Sequence, residues 1–161
     1  METDLSNTAG MFKFNTDIVN KAIAGVAPEH WFKNPGNDSN HLMWIMGHLV
    51  VHRGETLKAL GVDWSSEWAS LFSPGAERPT DTAAYPSTEE MLAAWQQVST
   101  ELANALKQSP ADVLGKDAPK GPPTFNGKVN GTVAFYAFHD TYHTGQISYL
   151  RKWLGYGKTI G

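Results

Sequence analysis

An all-α fold, most simply a four-helix bundle, is what this chain predicts, and three observations carry it. Apolar residues recur at intervals of three and four along four long stretches. Proline and glycine gather in the segments between those stretches. No window of strand length alternates cleanly; residues 129–135 come closest, and Gly131 interrupts them. With 161 residues, 41% of them hydrophobic and 18% charged, the chain can bury a core as one domain over 1–161 and is not composed like a disordered or fibrous protein.

The first helix is expected over 8–25. Met11, Phe12, Ile18, Val19, Ala22, Ile23 and Val26 keep a period near 3.6, and Gly25 and Pro28 close it. Residues 28–38, with Pro35, Gly36, Asn37 and Asp38, read as a loop. The second helix is expected over 39–60, capped by Asp38 or Ser39. It buries a face of Leu42, Ile45, Met46, Leu49, Leu57 and Leu60, and Gly61 follows as a left-handed terminator. A long connection over 61–86 comes next, broken by Pro74, Gly75, Pro79 and Pro86, with a short helix within 65–72. The third helix is expected over 87–108. Ser87 and Glu90 have capping-box spacing, and Met91, Leu92, Trp95, Val98, Leu102 and Leu106 form its stripe. Residues 109–130 are too rich in proline and glycine to be helical throughout. The fourth helix runs over 131–154 and Gly155 ends it. Connections this long after the second and third helices imply a crossover topology or a lid over one bundle end.

Composition excludes several function classes. The formal net charge is −3, the wrong sign for general nucleic-acid binding. There are no cysteines, which removes disulfides, thiolate metal ligands and a cysteine nucleophile. No apolar run approaches the ~18 residues a membrane span requires, and the acidic start Met1-Glu2-Thr3-Asp4 lacks the apolar core of a secretory signal. A soluble cytoplasmic protein is expected, with a homodimer as an assembly for which the sequence identifies no interface.

Six histidines and six tryptophans stand out. On the fourth helix, Phe135, Tyr142, Leu150, Trp153 and Leu154 define an expected apolar face with His139 and His143 in its middle and Gln146 beside them. One buried histidine is usually a satisfied core residue. Two on adjacent turns of one apolar stripe are harder to satisfy by hydrogen bonds, and a shared metal ion satisfies both, since His at i and i+4 is ligand spacing. On the second helix His41, His48 and His52 share one flank, and spacing alone leaves His48 and His52 as equal candidates for a third ligand. His30 falls in a loop and has no assigned role. Trp95 and Trp153 are expected in the core, Trp44 in the core or walling a pocket one turn before His48, and Trp64 and Trp68 plugging the bundle end.

Other chemistries fit poorly. His139-Asp140-Thr141-Tyr142-His143 has zincin spacing with Asp for Glu, but no His, Glu or Asp follows residue 143 to complete the site. The two histidine-bearing helices lack the Glu-x-x-His pairs of a di-iron bundle, and no phosphate loop or nucleophile elbow is present. An internal echo does stand out. His48-Leu-Val-Val-His52-Arg-Gly54-Glu55 matches His139-Asp-Thr-Tyr-His143-Thr-Gly145-Gln146, and both helices end in Leu-Gly.

These segments resemble the DinB/YfiT-like family of four-helix bundles. Ser39-Asn-His-Leu-Met-Trp44-Ile-Met-Gly47-His48-Leu49 is similar to the family's apolar Trp-x-x-Gly-His-Leu signature on helix 2. His139-x-x-x-His143-x-Gly145-Gln146 is similar to its helix 4 signature, and Leu150-Arg-x-Trp-Leu-Gly155 to the tail that follows. The order of elements extends the resemblance over nearly the whole chain.

The resemblance implies one divalent metal held by three histidines, one from helix 2 and two from helix 4, which by position are His48, His139 and His143. It thereby selects His48 and leaves His52 at the rim. Zinc and nickel are the expected ions, with iron as a further candidate. Three protein ligands leave a coordination position open, as working sites do. Family resemblance points to metal-dependent transfer onto a low-molecular-weight bacterial thiol, with a small-molecule substrate. A metal-dependent hydrolase, a non-enzymatic metal- or ligand-binding stress module and a helical interaction protein are the competing readings. No catalytic residue is identified; Asp140, Glu55 and His52 are candidates for proton handling by proximity alone.

Overall fold

A computed structural model of the chain describes residues 4–36 and 38–160. The sequence readings that fall on Met1–Thr3 and Asn37 lie outside these. Four long helices form the body: α1 (Ser6–Ile23), α2 (Leu42–Ala59), α4 (Thr88–Gln108) and α6 (Val129–Trp153). Two one-turn helices, α3 (Ala69–Phe72) and α5 (Ala111–Leu114), sit in the two long connections. The described residues contain no strand, only an isolated bridge between Asp117 and Lys128, and the ambiguous 129–135 window opens α6. Among the described residues, no helix is long and apolar enough to cross a membrane.

Both α1 and α2 pack against α4 and α6. The core between them is apolar, with Val19, Leu49, Leu57, Met91, Val133 and Ile147 fully enclosed. Local chemistry sets the ends of the elements. The Ser87 hydroxyl accepts from the Glu90 backbone N–H while Glu90 reaches back to the Ser87 N–H, the expected capping box. Gly61 (φ 83°) and Gly155 (φ 88°) both turn left-handed after a leucine. In both places the next residue's N–H returns to a carbonyl five residues back, Val62 to Leu57 and Tyr156 to Arg151, the double-bonded glycine terminus. The N-cap of α2 differs from the expectation. It is His41, whose Nδ1 accepts from the Trp44 N–H at 3.1 Å, because the helix starts three residues later than Asp38, and two later than Ser39, would place it.

Burial corrects two more expectations. α2 is enclosed on nearly every side rather than on one face. The 61–86 connection causes this: Phe72 seats over Gly47 and Trp64 over Gly54, so the connection lies along the outer side of α2. A Cβ on either glycine would fall inside the facing ring. Trp64 and Trp68 therefore line the flank of the bundle beside Val50 and Val98 and do not plug its end. On α6 the buried face is Val133, Tyr136, Ala137, Asp140, His143, Thr144, Ile147 and Leu150. Tyr142 and Trp153 point outward and Phe135 is half-buried, so Trp153 is not a core residue and the aromatic stripe is not the packing face.

Candidate metal centre

The α2–α6 seam brings the histidines together. His48, His139 and His143 each present one ring nitrogen, and the three nitrogens lie within 4.8 Å of one another. His139 Nε2 is 3.2 Å from His48 Nε2 and 3.1 Å from His143 Nε2. Two nitrogens bound to one tetrahedral ion at ~2.0–2.1 Å stand about 3.3 Å apart, so this spacing suits a shared ion.

The other faces of the rings fix their protonation. His48 Nδ1 is 2.7 Å from the Phe72 carbonyl oxygen, which can only accept, so Nδ1 carries the proton. His143 Nδ1 donates in the same way to Gln146 Oε1 at 2.7 Å. Gln146 is held in turn by its amide N–H on the Tyr142 hydroxyl. Both rings, when neutral, therefore aim a bare Nε2 lone pair at His139 Nε2, whose single proton could serve only one of them. A cation at the meeting point resolves the conflict for all three. The Nδ1–H to oxygen contacts are also the arrangement that orients metal-bound imidazoles.

Electrostatics keep the rings in ligand form. Burial, above all, pushes the His48 imidazolium down to about 4 and that of His139 to about 3, with neighbouring histidines adding to the effect. His143 is also lowered by burial, opposed by its bond to Gln146 and by the Asp140 charge. Neutral imidazole is what a divalent ion binds.

His52 lies against the cluster without joining it. Its ring is 4.2 Å from that of His48 and 4.3 Å from that of His139, and neither of its nitrogens has a hydrogen-bond partner. Burial pushes it down to about 2. Tyr136, 5.5 Å from His52, is pushed up to about 12 by its own burial and then by Glu55. Trp44 stacks on His48 at 4.6 Å, enclosed, with its indole N–H unpartnered. His41 stays apart at the start of α2, between Phe32 and Tyr85, and is lowered to about 4 by burial and then Arg78. His30 bonds the Tyr156 hydroxyl at 2.7 Å and ties the α1–α2 connection to the chain's end.

Of the residues named for proton handling by proximity, Asp140 points elsewhere. Its carboxylate takes Nε and Nη2 of Arg53 at 2.8 and 3.1 Å. Nη1 of Arg53 reaches Thr16 at 2.8 Å and Ser99 at 2.7 Å, and its guanidinium lies 3.9 Å over the Trp95 ring. Arg53 is 1% exposed. This network joins all four long helices. Sequence reasoning missed it, although an arginine in the middle of a helix with an apolar core face was a signal that, once buried, it must meet an acid. Glu55 likewise turns outward, to Lys58.

No curated protein matches the chain. The family model described as the DinB superfamily matches residues 11–147, a span that holds α2, α4, all three convergent histidines and Gln146. The chain belongs to the DinB superfamily.

Proposed function

We propose that His48, His139 and His143 hold one divalent transition ion, zinc or nickel, and that the protein is a metal-dependent enzyme transferring a group to a small thiol. The observation that carries this reading is the convergence of three Nε2 atoms, two of them bare by their Nδ1 bonds to Phe72 and Gln146. An ion held there by the three imidazoles would supply Lewis acidity and would lower the pKa of a thiol or water that it bound. The chain's own residues do the rest. Phe72 and Gln146 fix the rings of His48 and His143. Trp44 covers one side of His48. His52, with one nitrogen able to donate and one to accept, is placed to hydrogen-bond a group brought to the centre.

This reading takes residues 1–161 as one cytoplasmic domain and the 61–86 connection as a crossover. Arg53 facing Ser99, and Tyr85 meeting His41 at the start of α2, support α2 and α4 running in the same direction.

Elemental analysis of tag-free protein, beside the His139→Ala/His143→Ala variant, tests the proposal. Near one equivalent of a transition metal, lost in the variant, is expected. Protein that stays metal-free after incubation with zinc and with nickel sinks it. Metal without turnover on any thiol–electrophile pair would leave a binding module in place of an enzyme.

A further inference from the structure

The centre has an apolar wall on its accessible side. Of the three convergent rings, His48 and His143 are 4% and 7% exposed, while His139 is half-buried and faces outward. The His139 ring lies within 27° of parallel to Phe135 at 6.4 Å. Phe135 meets Phe125 at 5.7 Å and Phe138 at 6.3 Å, edge to face or tilted. Phe125, from the 115–128 segment, is 64% exposed and Phe138 is 56% exposed. Three phenylalanines from two segments thus cluster at the surface beside the one ligand ring that solvent reaches. Scattered exposed apolar residues are ordinary, whereas a contiguous aromatic cluster marks a binding surface.

Behind this wall, on the inner side of His139, lies an enclosed and unsatisfied polar group. His52, also half-buried, lies against His139 and His48, and both of its ring nitrogens lack partners. A neutral imidazole offers one donor and one acceptor, so it complements a protic head group. Arg53, the neighbour of His52, is turned away from it and fully used by Asp140, Thr16, Ser99 and the Phe12 carbonyl.

Building on the metal centre proposed above, we infer that the site takes a small amphipathic molecule, its compact protic head at His52 and the histidine cluster and its aromatic-sized apolar tail against Phe125, Phe135 and Phe138. The wall selects the tail and His52 holds the head.

Two hydroxamates with the same metal-binding head separate these elements: benzohydroxamate carries a phenyl tail and acetohydroxamate a methyl. Zinc content is measured first, then affinity for each by titration calorimetry. Zinc-loaded wild-type protein is expected to bind benzohydroxamate at least about tenfold more tightly. Phe125→Ala/Phe138→Ala, at two exposed positions, is expected to keep its zinc and lose that preference. His52→Ala is expected to weaken both probes alike with zinc content unchanged. Equal affinities in the wild type, a preference that survives in the double variant, or zinc-loaded protein that binds neither probe overturns the inference while the metal centre stands. Failure to load zinc or nickel at all removes the metal centre itself, and the inference with it.

Discussion

Two polar clusters sit side by side along the α2–α6 seam, one residue apart on each helix. Arg53 follows His52, and Asp140 follows His139. The Arg53–Asp140 cluster is complete: all five guanidinium N–H donors have acceptors, on Asp140, Thr16, Ser99 and the Phe12 carbonyl. The histidine cluster is incomplete. Its Nε2 atoms point at one another and Nδ1 of His139 is unpartnered, as are both nitrogens of His52 beside it. Both clusters are largely withdrawn from water, yet only one is finished by the protein itself. A fully paired buried network locks elements together, whereas unfinished polar groups are where a protein can take up water, an ion or a ligand.

Breaking the finished cluster should have the largest effect. Arg53→Met leaves the Asp140 carboxylate buried without its partner and is expected to cost about 3–5 kcal/mol, read as a fall in the urea midpoint. Arg53→Met/Asp140→Leu should recover most of it. A single variant as stable as wild type would show that the pair does not hold the helices together.

Gly47→Ala comes next. The new Cβ must displace the Phe72 ring, at about 1–3 kcal/mol, and the Phe72 carbonyl moves off His48 with it. Loss of such an orienting bond typically weakens metal binding ~10–100-fold, so zinc affinity should fall alongside stability. Unchanged affinity would separate the carbonyl from the centre.

Acid should act on the unfinished cluster more gradually. His48 is held near 4, His139 near 3 and His52 beside them near 2, and His41, apart at the start of α2, near 4 as well, all below the ordinary 6.5. Below about pH 6.5 the unfolded chain therefore binds protons that the folded chain refuses. Their contribution to stability is complete above about 6.5 and declines as pH falls toward 4 and beyond. Denaturant midpoints of metal-free protein, measured between about pH 7 and 4.5, should decline steadily; a level profile would contradict the burial of these rings.

The smallest effect contrasts the two copies of the internal echo. Gly54 faces Trp64, but its counterpart Gly145 has nothing within 4 Å and a right-handed backbone. Gly145→Ala should stabilise α6 by about 0.5–1 kcal/mol, visible as a small rise in Tm, whereas Gly54→Ala should lower it.

Periodic and capping chemistry made much of the fold legible. The four long helices, the Ser87 capping box and the glycine termini at 61 and 155 are decided within a few residues of chain. His139 and His143 were legible from i, i+4 spacing, while choosing His48 over His52 required the family resemblance. What stayed hidden depends on contacts distant in sequence. No local pattern says that residues 61–86 will return along α2, so its all-round burial and the flank position of Trp64 could not be read. Tyr142 and Trp153 misled because large aromatics signal a core face by composition, and here they are left outside. Asp140 misled because adjacency to a ligand says nothing about direction: consecutive helical residues are turned by about 100°, and Asp140 looks toward Arg53.

The bond from His48 to the Phe72 carbonyl has one more consequence. It makes a backbone atom of the 61–86 connection part of the environment of the centre. With the proposed ion bound, seating of that segment over Gly47 and ion occupancy would share a single coupling free energy: whatever factor the seated segment added to ion affinity, the ion would add to the seating. Protease susceptibility within 73–81 would then gauge ion occupancy, and a cut there would weaken the hold on the ion. On the proposed reading the connection is a latch on the centre as well as a link between two helices.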